Sequence, residues 1–464
     1  MNLFFRFGLI VSLLSSTVGA ETRSTVNDQT DLFLTVYNAG RALVRDHRKL
    51  TLSQPDQRIA LMDVAERIMP QTVSIDGLEV LEQNYDFDLL SPQSLINKNI
   101  GNQVRIARRS STSGENLEWS EGKILSTQGG VILQMQDGSL EILDPDSRYH
   151  MVFDEVPANL RTTPTLSLLL SQPVSGTQQL ELTYLTTGLS WQSDYVMQLN
   201  ADENSATLDS WITLNNQSGI AYQNAHLQLL AGEVNMQQPM RMEMMADAAM
   251  YQRKSISPVA EQALHGYHLY TIPQRTTIQN QQSKQIKLFA SPAFAVSKKL
   301  LDQANVDSHG LNTQKSKPEQ FLLFKNSAPE LGLALPKGTL RVYARDDAGN
   351  SQFLGEDSIA HTAVNDALEI KLGRAFDLSV ERSTTDFRQL SKKQTQLSRS
   401  IKINNGSKQT QTLILSEVMP TQSWQILQAT QSYTRATPAS ADFTITLPPL
   451  TELTLSYDVV ITYN

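Results

Sequence analysis

Six methionines lie close together near the middle of the sequence and have side chains suited to binding a soft metal ion. They fall within fifteen residues: Met236, Met240, Met242, Met244, Met245 and Met250. Thioether sulfur is a ligand that Cu(I) prefers, and in a helix residues spaced by three or four share one face. The first hypothesis is a copper site at Met240, Met242, Met244 and Met245. The alternative is a Met-rich linker or amphipathic segment without a cofactor, because methionine also fills irregular apolar contacts.

Carboxylates and an imidazole lie close together later in the chain. Glu356 and Asp357 precede His361 by five and four residues. In a strand Asp357 and His361 would share one face, and a carboxylate beside an imidazole can act as a base. The alternative, which we favour, is that Gly355-Glu356-Asp357 forms a turn and His361 lies on a solvated edge. A catalytic role would require a cleft that the sequence does not indicate.

Two further histidines, His265 and His268, are three residues apart. In a strand this spacing places them on opposite faces, which disfavours joint metal binding. A metal site would also need a third ligand and supporting hydrogen bonds. We therefore expect His268, which lies between Tyr267 and Tyr270, to serve in packing.

The composition, the net charge and the absence of known motifs exclude several classes of function. The chain of 464 residues contains no cysteine, which excludes disulfides, thiolate metal sites and cysteine nucleophiles. No G-x-S-x-G, H-E-x-x-H or P-loop motif is present, so we expect a non-enzymatic protein. A net charge of −8 argues against nucleic-acid binding. The basic run of Arg105, Arg108 and Arg109 lacks interleaved aromatic residues and is typical of a solvated loop.

The first twenty residues have the pattern of a signal peptide. A basic residue precedes the apolar run Phe7–Leu14, and small residues occupy Val18-Gly19-Ala20. We predict cleavage between Ala20 and Glu21. No other apolar run is long enough to span a bilayer, so we expect a periplasmic or secreted protein without a transmembrane segment after signal removal.

Most of the chain alternates between apolar and polar residues with a period of two, which indicates an all-β protein. The final strand is the clearest case, with apolar residues at every second position: Leu453, Leu455, Tyr457, Val459, Ile461 and Tyr463. We predict several domains made of antiparallel β-sandwiches, with an inserted small SH3-like barrel.

Turn residues predict four hairpins within this pattern. Two are early in the chain: one turns at Asn38-Ala39-Gly40, and the other joins Val131–Met135 to Leu140–Leu143. A third joins Leu340–Tyr343 to Phe353-Leu354, and a fourth turns at Asn404-Asn405-Gly406.

These elements divide the chain into predicted domains. After the signal peptide at 1–20, an N-terminal β domain covers 21–100 and continues at 155–185. The small barrel covers 101–154 and a central sandwich covers 186–375, with the Met-rich insertion at 236–264. An Ig-like sandwich covers 376–464.

The four tryptophans have rings that could stack on sugars. We expect Trp191 and Trp211 to lie in the core, because each lies beside apolar strand residues. Trp119, between Glu118 and Ser120, is the one expected at the surface. An exposed aromatic row would favour polysaccharide binding.

A series of longer motifs resembles a known family. The motifs are Gly188-Leu189-Ser190-Trp191-Gln192-Ser193-Asp194-Tyr195, Trp211-Ile212-Thr213-Leu214-Asn215-Asn216, Leu229–Asn235, Tyr267–Pro273, Leu335-Pro336-Lys337-Gly338-Thr339, Gly355-Glu356-Asp357 and Leu372–Leu378. They resemble a bacterial family of exported proteins whose C-terminal region is a domain of unknown function. The same region is similar to the C-terminal part of mucoidy-inhibitor A homologues. The resemblance implies an all-β, exported, non-catalytic protein.

Three hypotheses follow. The first is a non-enzymatic exported protein that binds another protein or an envelope component through a sheet edge or a groove. The second is periplasmic copper binding through the Met-rich insertion. The third is binding or modification of an envelope polysaccharide.

Overall fold

The computed structural model describes residues 21–109, 117–143, 149–157, 160–232, 260–264, 267–307 and 311–463. Nearly all of the regular structure in these residues is β-strand, which confirms the all-β prediction. Most strand pairs are antiparallel, but parallel pairs also occur among the described residues, so the sheets are mixed.

In the N-terminal part, the residues that the structure describes form the first ten strands and one short helix. The strands before the helix are β1 (Thr22–Ser24), β2 (Gln29–Tyr37), β3 (Arg41–Met62), β4 (Ser74–Asp76) and β5 (Val80–Asp86). Single 3-10 turns lie at Val26–Asp28 and Pro70–Thr72. The helix and the strands after it are α1 (Pro92–Lys98), β6 (Gln103–Arg109), β7 (Leu117–Ser126), β8 (Val131–Met135), β9 (Leu140–Leu143) and β10 (Tyr149–Val152).

The described residues of the remaining chain add twenty-two strands. The first fifteen are β11 (Thr165–Thr187), β12 (Leu189–Leu199), β13 (Ser205–Asn216), β14 (Tyr222–Ala231), β15 (Ala260–Leu264), β16 (Tyr267–Thr271), β17 (Thr276–Ile278), β18 (Gln282–Ala290), β19 (Phe294–Ala295), β20 (Ser297–Asn305), β21 (Thr313–Ser316), β22 (Glu319–Lys325), β23 (Gly338–Arg345), β24 (Ser351–Ile359) and β25 (Ala367–Arg374). The last seven are β26 (Leu378–Ser391), β27 (Gln394–Asn405), β28 (Gln411–Val418), β29 (Trp424–Ala429), β30 (Thr434–Thr437), β31 (Ser440–Leu447) and β32 (Thr451–Thr462).

The described chain divides into two compact units. The first unit contains the residues up to Ser190 together with Asn215–Gln228 and Gln274–Gln282. The second unit contains Trp191–Leu214, the described part of Leu229–Pro273, and the chain from Ser283 onward.

Two long strands form the centre of the first unit. Strands β3 and β11 pair antiparallel along almost their whole length, and β2 pairs with the other side of β3. One face of β3 is buried at every second position: Ala42, Val44, Asp46, Arg48, Leu50 and Leu52. Two of these six side chains are charged, and they form an ion pair inside the core, with Arg48 Nη2 2.8 Å from Asp46 Oδ2.

A five-stranded antiparallel sheet in the first unit has a small core of its own. Its order is β10-β6-β7-β8-β9, and its buried residues include Ile106, Ile124 and Leu133. The predicted insertion at 101–154 corresponds to these strands. No hydrogen-bonded pairing joins β9 to β10 among the described residues, so the structure shows an open sheet and not the closed barrel that we expected.

The C-terminal strands of the second unit form two facing sheets. One has the order β25-β22-β20-β28-β31-β30, and the other β21-β26-β27-β32-β29. Their inner faces share one apolar core, which includes Ile401 of β27, Phe443 of β31 and Val459 of β32. A further sheet of this unit contains β18, β13, β12, β23 and β24.

Candidate functional site

The predicted copper ligands lie outside the described residues. Met236, Met240, Met242, Met244, Met245 and Met250 all fall between residues 233 and 259, and His265 is also outside. The copper site therefore stays a prediction. Within the described part of the chain, no group of three or more histidine, aspartate or glutamate side chains has an arrangement that could hold a metal ion.

The predicted carboxylate–imidazole cluster binds backbone groups and a neighbouring arginine. Glu356 lies 3.0 Å from Arg341 Nε, and Asp357 Oδ2 accepts a hydrogen bond from the backbone N–H of Lys371. His361 Nδ1 accepts a hydrogen bond from the backbone N–H of Lys337, at 3.1 Å. The turn expected at Gly355-Glu356-Asp357 is wrong, because these residues lie inside strand β24 and continue its antiparallel pairing with β23. The contacts of Glu356 and Asp357 join β24 to β23 and β25. His361 is exposed, as expected, and its contact joins the segments that flank β23 and β24.

The tryptophans differ in exposure. Trp191 is buried and lies edge-on to Tyr270, with 6.5 Å between ring centroids, as expected for a core residue. Trp211 is only partly buried, and Lys287 Nζ lies 5.7 Å from its ring, so its expected core position is wrong. The reason is the alternation of β13, which turns the neighbouring Ile212 inward and Trp211 outward.

Trp119 is 56% exposed, in agreement with the sequence, but it is not part of a described row of stacked aromatic rings. The Arg105 guanidinium lies 6.0 Å from the centre of its ring and also pairs with Asp154 at 2.6 Å. The side chain of Arg105 therefore belongs to local surface contacts of the five-stranded sheet.

A groove of about 770 Å³ lies between α1 and the inner face of the five-stranded sheet. Its apolar lining comes from the residues around α1 and from strands β8, β9 and β10 with the loop that follows: Leu90, Leu95, Ile96, Val131, Leu143, Met151, Phe153 and Val156. The polar lining residues include Ser91, Gln93, Thr127 and His150. A large apolar concavity with few polar groups is typical of a binding site.

Helix α1 is fixed in position by its N-terminal cap. Ser91 precedes the helix and its hydroxyl accepts the Ser94 N–H at 3.0 Å, while Pro92 occupies a position where no N–H is needed. The Ser94 hydroxyl donates to the Leu89 carbonyl at 2.7 Å. The cap therefore holds Leu95 and Ile96 against the sheet, although the helix has only seven residues.

The rim of the groove and one sheet edge expose large apolar side chains. Leu90 is 39% exposed and Val156 is 52% exposed at the groove. On the opposite face, the edge strand β9 exposes Leu140 by 64% and Ile142 by 70%. An edge strand with exposed apolar residues is a template for pairing with another chain. The sequence predicted the β8–β9 hairpin but not the groove, because α1 has no long periodic pattern.

The match to a family model covers the larger part of the chain. Residues 180–464 match a domain of unknown function designated DUF4139, and the chain therefore belongs to this family. No curated protein matches the chain significantly. Of the helices that the structure describes, none has the length and hydropathy needed to span a lipid bilayer.

Proposed function

We propose that this protein is exported and non-catalytic, and that it binds an apolar segment of a partner protein or envelope component in the groove beside α1. The observation that supports this proposal is the groove itself, because it combines about 770 Å³ of space with apolar walls and exposed rim residues. The signal-peptide pattern supports a periplasmic or secreted location. The resemblance to mucoidy-inhibitor A homologues, which is part of the same proposal, favours the cell envelope.

An extended partner segment also has a second place to bind. The backbone of β9 has a neighbouring strand on one side only within the described residues. A partner strand added there would cover Leu140 and Ile142. The same partner can use both features, since groove and edge belong to one five-stranded sheet.

The experiment begins with a photo-reactive amino acid at Val156 in the exported protein, which captures a molecule bound at the rim of the groove. The captured partner is then identified and its binding measured with purified wild-type protein and with Leu90→Asp and Val156→Asp. Both positions are on the exposed rim, so the variants should fold normally. Loss of one buried apolar contact should weaken binding by about tenfold or more.

The control is Leu427→Asp, since Leu427 is 52% exposed, as is Val156, but lies on β29 in the second unit. We expect its affinity for the partner to equal that of the wild type. Unchanged binding by both rim variants, or an equal loss in the control, would contradict the groove as the binding site.

A further inference from the structure

A second cavity, of about 210 Å³, lies in the first unit and has a different chemistry. Its lining includes two carboxylates and two tyrosines, Asp46, Asp63, Tyr184 and Tyr222, and none of its described lining residues is a lysine or arginine. Val26 and Gln223, which are exposed, lie at its boundary and connect it with solvent. A small ligand can therefore enter from that side.

Asp46 is held in place by neighbouring donors. Its Oδ2 lies 2.9 Å from Arg48 Nε and 2.8 Å from Arg48 Nη2, and its Oδ1 accepts a hydrogen bond from the Gln29 side chain at 2.7 Å. Asp46 and Arg48 are 3% and 2% exposed. Since a carboxylate oxygen accepts up to two hydrogen bonds, Oδ1 retains capacity for one more donor.

Asp63 adds a second negative charge to the cavity. Its backbone φ is 61°, and its Oδ2 accepts the Val26 N–H at 3.0 Å. No described cationic side chain forms an ion pair with it. Because Arg48 balances Asp46 alone, the cavity retains the negative charge of Asp63.

The two tyrosine side chains form buried aromatic walls, and each is 1% exposed. The Tyr222 hydroxyl donates to Ser218 Oγ at 3.0 Å. The Tyr184 hydroxyl accepts the Ala65 N–H at 3.3 Å, and no described acceptor takes its proton. Burial raises the pKa of both hydroxyls, and Tyr222 and Asp46 raise the pKa of Tyr184 further, so both rings are neutral at physiological pH.

We propose that this cavity binds a small organic cation, an aliphatic amine whose ammonium group faces Asp46 and Asp63 and whose carbon chain lies against Tyr184 and Tyr222. Carboxylates with aromatic faces are the groups that recognise an ammonium ion. A bare metal ion is disfavoured, because the described residues here provide only two carboxylates and no third metal-binding carboxylate or histidine. The tyrosine hydroxyls would bind a polar group at the far end of the ligand.

The test is calorimetric titration of the full exported chain with putrescine, and in parallel with butanediol, its neutral counterpart of equal chain length. We expect putrescine to bind and butanediol not to bind. Asp63→Asn should weaken putrescine binding by about tenfold or more, since it removes one charged partner. Asparagine accepts the Val26 N–H and tolerates positive φ, so this variant should fold.

Two further variants test whether putrescine binds in this cavity. Ala221→Leu fills the cavity lining without changing a charge and should also abolish binding. Asp76→Asn removes an exposed carboxylate of the same unit, on β4, and should bind as the wild type does. Equal binding of putrescine and butanediol, absence of putrescine binding, or unchanged affinity for putrescine in Asp63→Asn or Ala221→Leu would overturn the proposal.

Discussion

Glu417 is the centre of a buried charge cluster in the C-terminal sheets. Its carboxylate accepts hydrogen bonds from Arg382 Nε at 2.6 Å, from the Tyr457 hydroxyl at 2.6 Å and from Arg399 Nη2 at 3.4 Å. Arg382 also pairs with Asp302. The Glu417 side chain has no exposed surface, and burial followed by the Glu417 charge raises the pKa of Tyr457. The cluster joins both sheets through one carboxylate.

Glu417→Gln should therefore destabilise the protein strongly. Among the described residues, the substitution leaves Asp302 as the one buried counter-charge of Arg382 and Arg399. Breaking a buried ion pair in this way costs about 3–5 kcal/mol. Guanidinium unfolding of the two proteins measures the difference in free energy of unfolding. The matched control is Glu381→Gln, whose partner Lys315 is at the surface, and its effect should stay below about 1 kcal/mol. Comparable stabilities of Glu417→Gln and wild type would refute the role of the cluster.

The cavity that contains Asp46 and the cluster around Glu417 share a signal in the sequence. In both, a charged residue occupies a buried position of a strand whose other buried positions are mostly apolar, and no catalytic motif contains this pattern. Asp46 and Arg48 occupy a row of β3 whose next members, Val44 and Leu50, are apolar. Arg382 likewise follows Val380 on the buried face of β26. A charged residue at an apolar position of a period-two pattern indicates an internal partner. The other walls of the cavity could not be predicted, because its tyrosines come from the separate strands β11 and β14.

At the scale of strands and turns, the motif Leu335-Pro336-Lys337-Gly338-Thr339 contains a glycine where a side chain would not fit. Strand β23 pairs parallel with β12, and a Cβ atom on Gly338 would lie 2.0 Å from the Ser193 carbonyl oxygen. The preceding Pro336 carbonyl accepts the Tyr195 hydroxyl at 2.7 Å. Two motifs that are far apart in sequence therefore meet at one strand pair.

Local features of the sequence predicted strands and tight hairpins well. The turn at Asn38-Ala39-Gly40 joins β2 to β3, and the hairpin of β8 and β9 is present, because both depend on neighbouring residues. The hairpin predicted at Asn404-Asn405-Gly406 is wrong, since β27 and β28 lie in different sheets. The buried Asn405 amide instead donates to the carbonyls of Gln409, Leu447 and Pro448.

The sequence did not predict which strands pair when they are far apart along the chain. Strand β12 pairs with β23, and β20 pairs with β28, across more than a hundred intervening residues, and both pairs are parallel. Alternation shows that one face of a strand is buried but not which strand lies beside it. For the same reason the groove beside α1, which needs β8, β9 and β10 in place, could not be predicted.

The N-terminal strand β1 should detach in acid. It pairs parallel with β3, and Asp56 Oδ2 accepts hydrogen bonds from Thr22 N at 2.9 Å and Thr22 Oγ1 at 2.6 Å. Burial raises the pKa of Asp56, but hydrogen bonds from Thr22 and from the backbone outweigh it and leave the pKa below the ordinary value of 3.8. The stabilisation is therefore full above about pH 4 and is lost as pH falls through the lowered pKa.

Hydrogen exchange of the peptide that contains Thr22–Ser24 measures this detachment. We expect fast exchange at low pH in the wild type, after correction for the intrinsic rate, and fast exchange already at neutral pH in Asp56→Asn. Asp76→Asn, which changes an exposed carboxylate on β4, should exchange like the wild type at neutral pH. Slow exchange of β1 in Asp56→Asn would show that the carboxylate does not hold the strand.

For the molecule as a whole, the absence of cysteine has a structural consequence. With no cysteine, stability depends on the apolar cores and on buried polar clusters within each unit. The DUF4139 match covers residues 180–464, whereas the five-stranded sheet with its groove precedes it. The proposed partner-binding surface therefore lies in a part of the chain that the family model does not include.

The proposed export predicts a mature chain that begins at Glu21. The Glu21 carboxylate lies 2.7 Å from Arg161 Nη1 and is followed directly by β1, so the fold has contacts for the chain from this residue onward. Expression of the whole chain in a bacterium, followed by fractionation and intact-mass measurement, should find a periplasmic or secreted protein that lacks residues 1–20. Ala20→Phe should block cleavage at this position, whereas Gly19→Ser should be processed normally, because the residue before the cut must be small. A cytoplasmic protein that retains Met1 would contradict export.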